Sequence, residues 1–366
     1  MDIRNIKKIA ACLISLFMLV GAMTVSNSVF KDVSEHGVIQ SMSIYDQPED
    51  TIDVLFTGSS HVHCGINTAK LWEDYGIAAY DYSSAEQPLW ITYHYIIEAC
   101  KTQKPKVIVL DFYSPAAFQD DYKNKYLYLS DSLYGFKFSF NKLMMMHDSF
   151  DGNLDLWNKY FPGYFGYHDQ YTDVELEDFG KLFENYEDFK GFVPRFSVDH
   201  YVTVPGSLSN GVLPPSEKSQ TFLKKIIDYT KKHGIELYIT TVPYALNTEM
   251  VEGIAQHEDE RYNWLEKYVE GLRESGDDHV YFDYSFKHME TFGLLMTGEG
   301  AEDMYDAGHL NYYGSCKVTD FYGKDLLERY GRDLIPDHRE DPDYISWDRN
   351  VEILKQDVEE QGWEWR

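Results

Sequence analysis

The chain has 366 residues, 43% hydrophobic and 16% aromatic, enough for one large domain or two small ones. Its formal charge is −28; Asp2, Arg4, Lys7 and Lys8 give the first eight residues +2, so the remainder carries −30. So acidic a body repels nucleic acid and anionic lipid, and no basic run argues otherwise, which leaves neutral glycans and small acyl donors as partners.

No charge appears between Ile9 and Phe30. The apolar part of this run is helical in character. At about 1.5 Å per residue it nearly crosses a hydrocarbon core of roughly 30 Å. The cations ahead of it belong in the cytoplasm, which places the rest of the chain outside. Residues 1–30 therefore read as a single-pass anchor at the cell membrane. A cleavable signal peptide is the alternative, with small-residue sites at 22–24 and 26–28; it also exports the body. Cys12 lies inside the run without the small residues of a lipoprotein site. Cys64, Cys100 and Cys316 are odd in number, so no disulfide framework is expected, although one bridge stays open.

Residues 31–49 are polar, lack a period and read as a stalk. Val54, Leu55 and Phe56 begin a buried strand over 54–57, which stops at Gly58, Ser59 and Ser60. A helix over 69–75 ends at Gly76, and a second strand runs over 77–82. Ile91, Tyr95, Ile96 and Ala99 mark an amphipathic helix over 89–101. Pro105 closes it, and a third strand over 107–110 leads to Asp111. This alternation predicts a parallel sheet covered on both faces, a flavodoxin-like α/β fold over residues 50–335.

From 113 to 213 the order is lost. Tyr, Phe and Asp crowd this stretch, which also holds Trp157, and it reads as a partly helical insertion over the carboxyl edge of the sheet. Ser216 then caps a helix that runs to Gly234. A fourth strand follows over 235–242, a helix over 257–275, a fifth strand over 279–284 and a last helix over 314–330. Glu258, Asp259, Glu260 and Arg261 read as a solvated helical face. Residues 336–366 form an acidic tail on the surface.

A strand that stops at a glycine and two serines before a helix puts a hydroxyl at the carboxyl end of the sheet, where ligands bind in open α/β folds. The helix start adds free N–H groups and a positive dipole end, suited to a developing oxyanion. Near the other end of the chain, Asp306 lies three residues before His309. On a tight turn that spacing lets the carboxylate hold one imidazole nitrogen while the other faces a nucleophile. A plain turn is the alternative. Asn311 and Gly314 would cap and start the following helix.

Together these stretches resemble the SGNH/GDSL hydrolase superfamily, whose nucleophile sits in a turn after the first strand and whose Asp-x-x-His pair precedes the last helix. The Gly58-Ser59-Ser60 variant is similar to the exported acyl-transfer branch, which includes the D-alanyl transfer protein of teichoic-acid modification and the alginate O-acetylation proteins. The resemblance spans residues 50–113 and 214–330. It implies Ser60 as nucleophile, with Ser59 as the alternative, His309 as general base and Asp306 as its orienting acid. It implies oxyanion donors from the Ser60 N–H and from Ser83 or Ser84. The family's third-block asparagine is replaced by Asp111, Phe112 and Tyr113, and Gln87 is the substitute candidate.

His61 and His63 suggest a rival, the His-x-His zinc site of amidohydrolase barrels. Such a barrel needs further histidines after later strands, and the fourth strand ends Thr240, Thr241, Val242, Pro243 without one. Otherwise both are helix-start side chains near the site, with His61 placed to touch a substrate. Cys64 and Cys316 read as packing residues. No cofactor and no metal is expected. The resemblance implies serine-dependent acyl transfer, of acetyl above all, or ester hydrolysis on cell-envelope polysaccharide. Expected partners are the glycan or an acylated small molecule, and a membrane-bound acyl donor protein. A catalytically weak accessory that binds glycan or a membrane partner is the alternative.

Overall fold

The computed structural model describes residues 3–30, 34–117, 126–160, 189–200, 208–245, 250–251, 254–255, 258–297 and 300–366. They fall into two compact units, one from 1–33 and 146–187, the other from 34–145 and 188–366.

The smaller unit contains helix α1 (Ile3–Phe30), of 28 residues. Among the described residues no helix is long and apolar enough to cross a membrane. The uncharged run that motivates an anchor continues to Phe30, and most side chains beyond Leu19 lie outside the described ones.

The larger unit is built on five parallel strands: β1 (Val54–Gly58), β2 (Ala79–Ser83), β3 (Val107–Asp111), β4 (Glu236–Thr240) and, last in the chain, β7 (Val280–Asp283). Their order is β2-β1-β3-β4-β7, the doubly wound flavodoxin-like order. A two-residue pair, β5 (Met250–Val251) and β6 (Ile254–Ala255), lies outside this sheet. β1 pairs β2 on one side and β3 on the other, so the strand order reverses about β1. Chains leave β1 and β3 in opposite directions there and open a crevice at their carboxyl ends.

Helices cover the sheet because its strands are apolar on both faces. β1, β2 and β3 are buried throughout. On one face Val54, Phe56, Val109 and Tyr238 pack against Leu71 of α4 (Thr68–Tyr75) and Val318, Tyr322 and Leu326 of α12 (Tyr312–Leu334). Against the other lies α5 (Leu89–Ala99), with α10 (Glu217–His233) packed beside it. The cap signals are realised: Ser216 accepts from the Ser219 N–H at 3.1 Å, and Gly76 and Gly234 end their helices in left-handed conformation.

Two expectations are corrected. The stalk is not one: within 34–49, α2 (Val38–Ser43) packs on β2, with Val38, Gln40 and Ser41 buried. Gln40 and Ser41 hide their polarity by bonding to the Gly191 carbonyl and the Tyr95 hydroxyl, which is why no apolar period advertises the helix. The first turn of α11 (Glu258–Glu274) is not solvated, since Glu258, Asp259 and Arg261 are buried. Tyr244 Oη donates to Glu258 at 2.9 Å and the Ser209 N–H donates to Asp259 at 2.5 Å. The tail lies on the surface as α13 (Ile345–Glu360), which packs on α4 and buries Trp347 completely.

The insertion is partly helical: α6 (Ser114–Ala117), α7 (Leu129–Leu133), α8 (Phe140–Phe150) and α9 (Leu154–Tyr160). Its residues 118–125, 161–188 and 201–207 lie outside the described ones.

Candidate active site

Ser60 opens α3 (Ser60–Gly65), which leaves β1 with one residue between. Ser59 is its N-cap, accepting from the His61 N–H at 3.3 Å and donating to Asp111 Oδ2 at 2.7 Å. Gly58 has φ of +141°, and a Cβ there would lie 2.7 Å from the Asp111 carbonyl oxygen. Only glycine lets β1 turn this close to the end of β3. With Ser59 committed to Asp111, Ser60 is the serine that faces out. Its N–H points away from α3 at the helix start, and no described group accepts from it.

The partner arrives from the other end of the chain. Asp306 folds its turn by accepting from the Gly308 and His309 N–H groups at 2.7 and 2.8 Å. The Tyr305 N–H donates to the His309 carbonyl at 2.8 Å and closes the turn. Asn311 caps α12 by accepting from the Gly314 N–H at 3.1 Å. Within this turn Asp306 meets His309 Nδ1 at 2.9 and 3.0 Å, and His309 Nε2 lies 2.8 Å from Ser60 Oγ. A carboxylate on Nδ1 fixes the proton there and leaves Nε2 to accept from the Ser60 hydroxyl. Burial opposes the charge on Asp306, but the His309 hydrogen bond and charge, with the two N–H groups, hold it below its usual value. The arrangement can draw a proton from Ser60 as its oxygen attacks a carbonyl.

Around them lies a cavity of about 290 Å³, lined among others by Ser60, His61, His309, Tyr113, Tyr128 and Arg195. Of the other sequence candidates, His61 alone reaches it. His61 stacks on Tyr244 and stands edge-on to Tyr113 and His309. Burial first, then the His309 charge, pushes its pKa well down, so it stays neutral.

Ser83 and Ser84 are buried away from the cavity. Ser83 Oγ lies 3.0 Å from His63 Nδ1, and the Ser84 N–H turns toward the Gly58 carbonyl at 3.4 Å. The Ser84 N–H is thereby turned to the end of β1, and the Ser83 hydroxyl to α3. Gln87 is engaged too: it donates to Ser84 Oγ at 3.0 Å and accepts from Thr92 Oγ1 at 2.8 Å. Asp111, in the third-block position, is a buried strut. It bridges Ser59 and the Val242 N–H, and burial pushes its carboxyl up to about 6.

His61 and His63 serve different neighbourhoods, cavity and Ser83. Among the described residues no group of three or more His, Cys, Asp or Glu could hold a metal ion. All four cysteines are free thiols, and burial pushes Cys64 and Cys316 up to about 11. Sequence reasoning missed Arg195, His36 and Tyr128 as cavity residues. Pro194-Arg195 inside an acidic aromatic stretch was the one available signal.

Fold and geometry thus define an α/β protein with a Ser–His–Asp relay at the switch point of its sheet. No protein-family model matches the chain, and no curated protein matches it.

Proposed function

We propose that this chain is an SGNH-type serine acyltransferase or esterase that works on cell-envelope polysaccharide, with acetyl as the acyl group. The observation that carries the reading is the unbroken relay from Asp306 through His309 to Ser60. Ser60 Oγ attacks the acyl carbonyl of an ester while His309 takes its proton. The Ser60 N–H offers one oxyanion donor. The ester C–O bond breaks, and His309 returns the proton to the leaving alcohol. A sugar hydroxyl or water then attacks the acyl-serine with His309 again as base; the bond between Ser60 Oγ and the acyl carbon breaks, and His309 returns the proton to Ser60.

Transfer is favoured over hydrolysis because Tyr113 and Tyr128 give the cavity aromatic walls that suit a sugar face and displace water. Residues 1–30 serve as the membrane anchor, which keeps the body outside the cytoplasm near a membrane-bound acyl donor. One observation favours the accessory reading, that of a glycan-binding protein without turnover. Ser84 and Gln87, two of the three candidates for the second oxyanion donor, are engaged elsewhere, by the Gly58 carbonyl and by Ser84 Oγ.

The test uses the full-length chain in detergent with p-nitrophenyl acetate, with and without envelope glycan. Acetyl appearing on the glycan, and lost in Ser60→Ala, supports transfer. Free acetate alone makes the chain an esterase, and turnover equal to that of Ser60→Ala makes it an accessory.

A further inference from the structure

We infer that the cavity beside Ser60 contains an anion subsite, seated on Arg195, for a carboxylate or phosphate group of the substrate. The inference rests on the serine reading of the same cavity, and it narrows the substrate to an anionic one.

Arg195 lines the cavity with Ser60 and His309. A volume of about 290 Å³ is at the small end of ligand pockets, roughly 300–1,000 Å³, so a group on Arg195 belongs to the same ligand that reaches Ser60. The main chain around it is held from both sides. The Val193 N–H donates to the His63 carbonyl at 2.6 Å, and the Arg195 carbonyl accepts from the Tyr312 N–H at 2.9 Å. Those contacts tie it to α3, which carries Ser60, and to α12, which follows His309. Pro194 between them stiffens the segment. The backbone that carries the guanidinium is therefore fixed relative to the relay.

Its counter-charge is weak. Glu35 Oε2 lies 3.5 Å from Nη1, with the Glu35 side chain 61% exposed against 17% for Arg195. An ion pair that long and that wet contributes little. The neighbouring Cys64 thiol does not offset the charge, since burial keeps it protonated. Tyr305 supplies a ring face 5.5 Å away, with no charge. A guanidinium has five N–H donors in a planar fork that fits a carboxylate or phosphate edge-on.

The other charged groups of the cavity do not compete. Asp306 is engaged by His309. Glu86 acts on Tyr113 and Tyr128, whereas Arg195 senses Cys64, Glu35 and Tyr305. His36 stands near Arg195, and burial first, then Arg195, lowers its pKa, so it is a neutral donor or acceptor there.

Two measurements on the full-length chain in detergent separate this inference from the reading it rests on. The first is fluorophosphonate labelling of Ser60, which reports the serine alone; its absence overturns the serine reading. The second is calorimetric titration of Ser60→Ala protein with glucose, glucuronate and glucose 6-phosphate, which needs no turnover. One or both anions should bind at least about tenfold more tightly than glucose, the size expected of a charge-assisted pair. Glucuronate alone identifies a carboxylate, glucose 6-phosphate alone a phosphate. Arg195→Gln in this background should erase the preference and Arg195→Lys should retain part of it. Glu35→Gln, at an exposed position that does not endanger folding, should raise anion affinity about two- to fivefold. Equal binding of all three sugars, or an anion preference that survives in folded Arg195→Gln, overturns the subsite.

Discussion

Two adjacent serines leave β1 toward two different aspartates. Ser59 donates to Asp111 at the end of β3, inside the fold, and Ser60 meets His309 and Asp306 at the cavity. Burial raises the Asp111 carboxyl to about 6, and no histidine stands between it and its serine. Asp306 is half-exposed, and His309 and two N–H groups hold it low. Both pairs are well bonded, yet they do opposite things. The inner pair fixes where the turn is, and the outer pair leaves a hydroxyl poised over open space. A hydrogen-bonded Ser–Asp contact is a strut, and a Ser–His–Asp relay with an open side leaves a hydroxyl with a base in reach.

The sharpest way to break this comparison is to remove the outer serine or its base. Ser60→Ala and His309→Ala should each cut turnover of an activated acetyl ester on the order of a millionfold, with thermal unfolding close to that of the parent. Asp306→Asn should cost roughly 10⁴-fold, because the amide no longer holds the proton on Nδ1, read as turnover at pH 7.

The inner pair should show in stability rather than rate. The raised carboxyl of Asp111 binds its proton more tightly folded than unfolded. Its contribution is therefore full below the unfolded value near 3.8 and is lost as pH rises through about 6, some 3 kcal/mol in all. Asp306 runs the other way, since its depressed value contributes stability above 3.8 that is lost as pH falls. Denaturant unfolding of Asp111→Asn between pH 4 and 7 should lose the falling slope, and Asp306→Asn should lose the low-pH decline. The smallest effect belongs to Ser59→Ala, about 1 kcal/mol for the lost cap, with turnover within a few-fold of the parent.

The same contrast explains what the sequence made legible. Strands with apolar residues on both faces announce themselves, so β1 to β4 and β7 fall where Val54-Leu55-Phe56 and its counterparts put them. The relay is legible because each half is local, Ser60 in one turn and Asp306 with His309 in another, and parallel topology brings the turns to one edge. What stayed hidden depends on long-range partners. Gln40 and Ser41 look like linker residues until the Gly191 carbonyl and the Tyr95 hydroxyl accept from them. Glu258 and Asp259 look solvated until Tyr244 and Ser209 bond to them. Ser84 and Gln87 look free for an oxyanion until the Ser84 N–H meets the Gly58 carbonyl and Gln87 donates to Ser84 Oγ. Arg195 enters the cavity only because Tyr312 and His63 pin the chain on either side of it.

The central claim is that Ser60, and not its neighbour, is the nucleophile. It is tested most directly by acid-quenching the full-length chain during reaction with an activated acetyl ester and sequencing the modified peptide by mass spectrometry. One acetyl group is expected on Ser60, absent from Ser60→Ala and still formed in Ser59→Ala. Acetyl on Ser59, or an equal yield in Ser60→Ala, would contradict it.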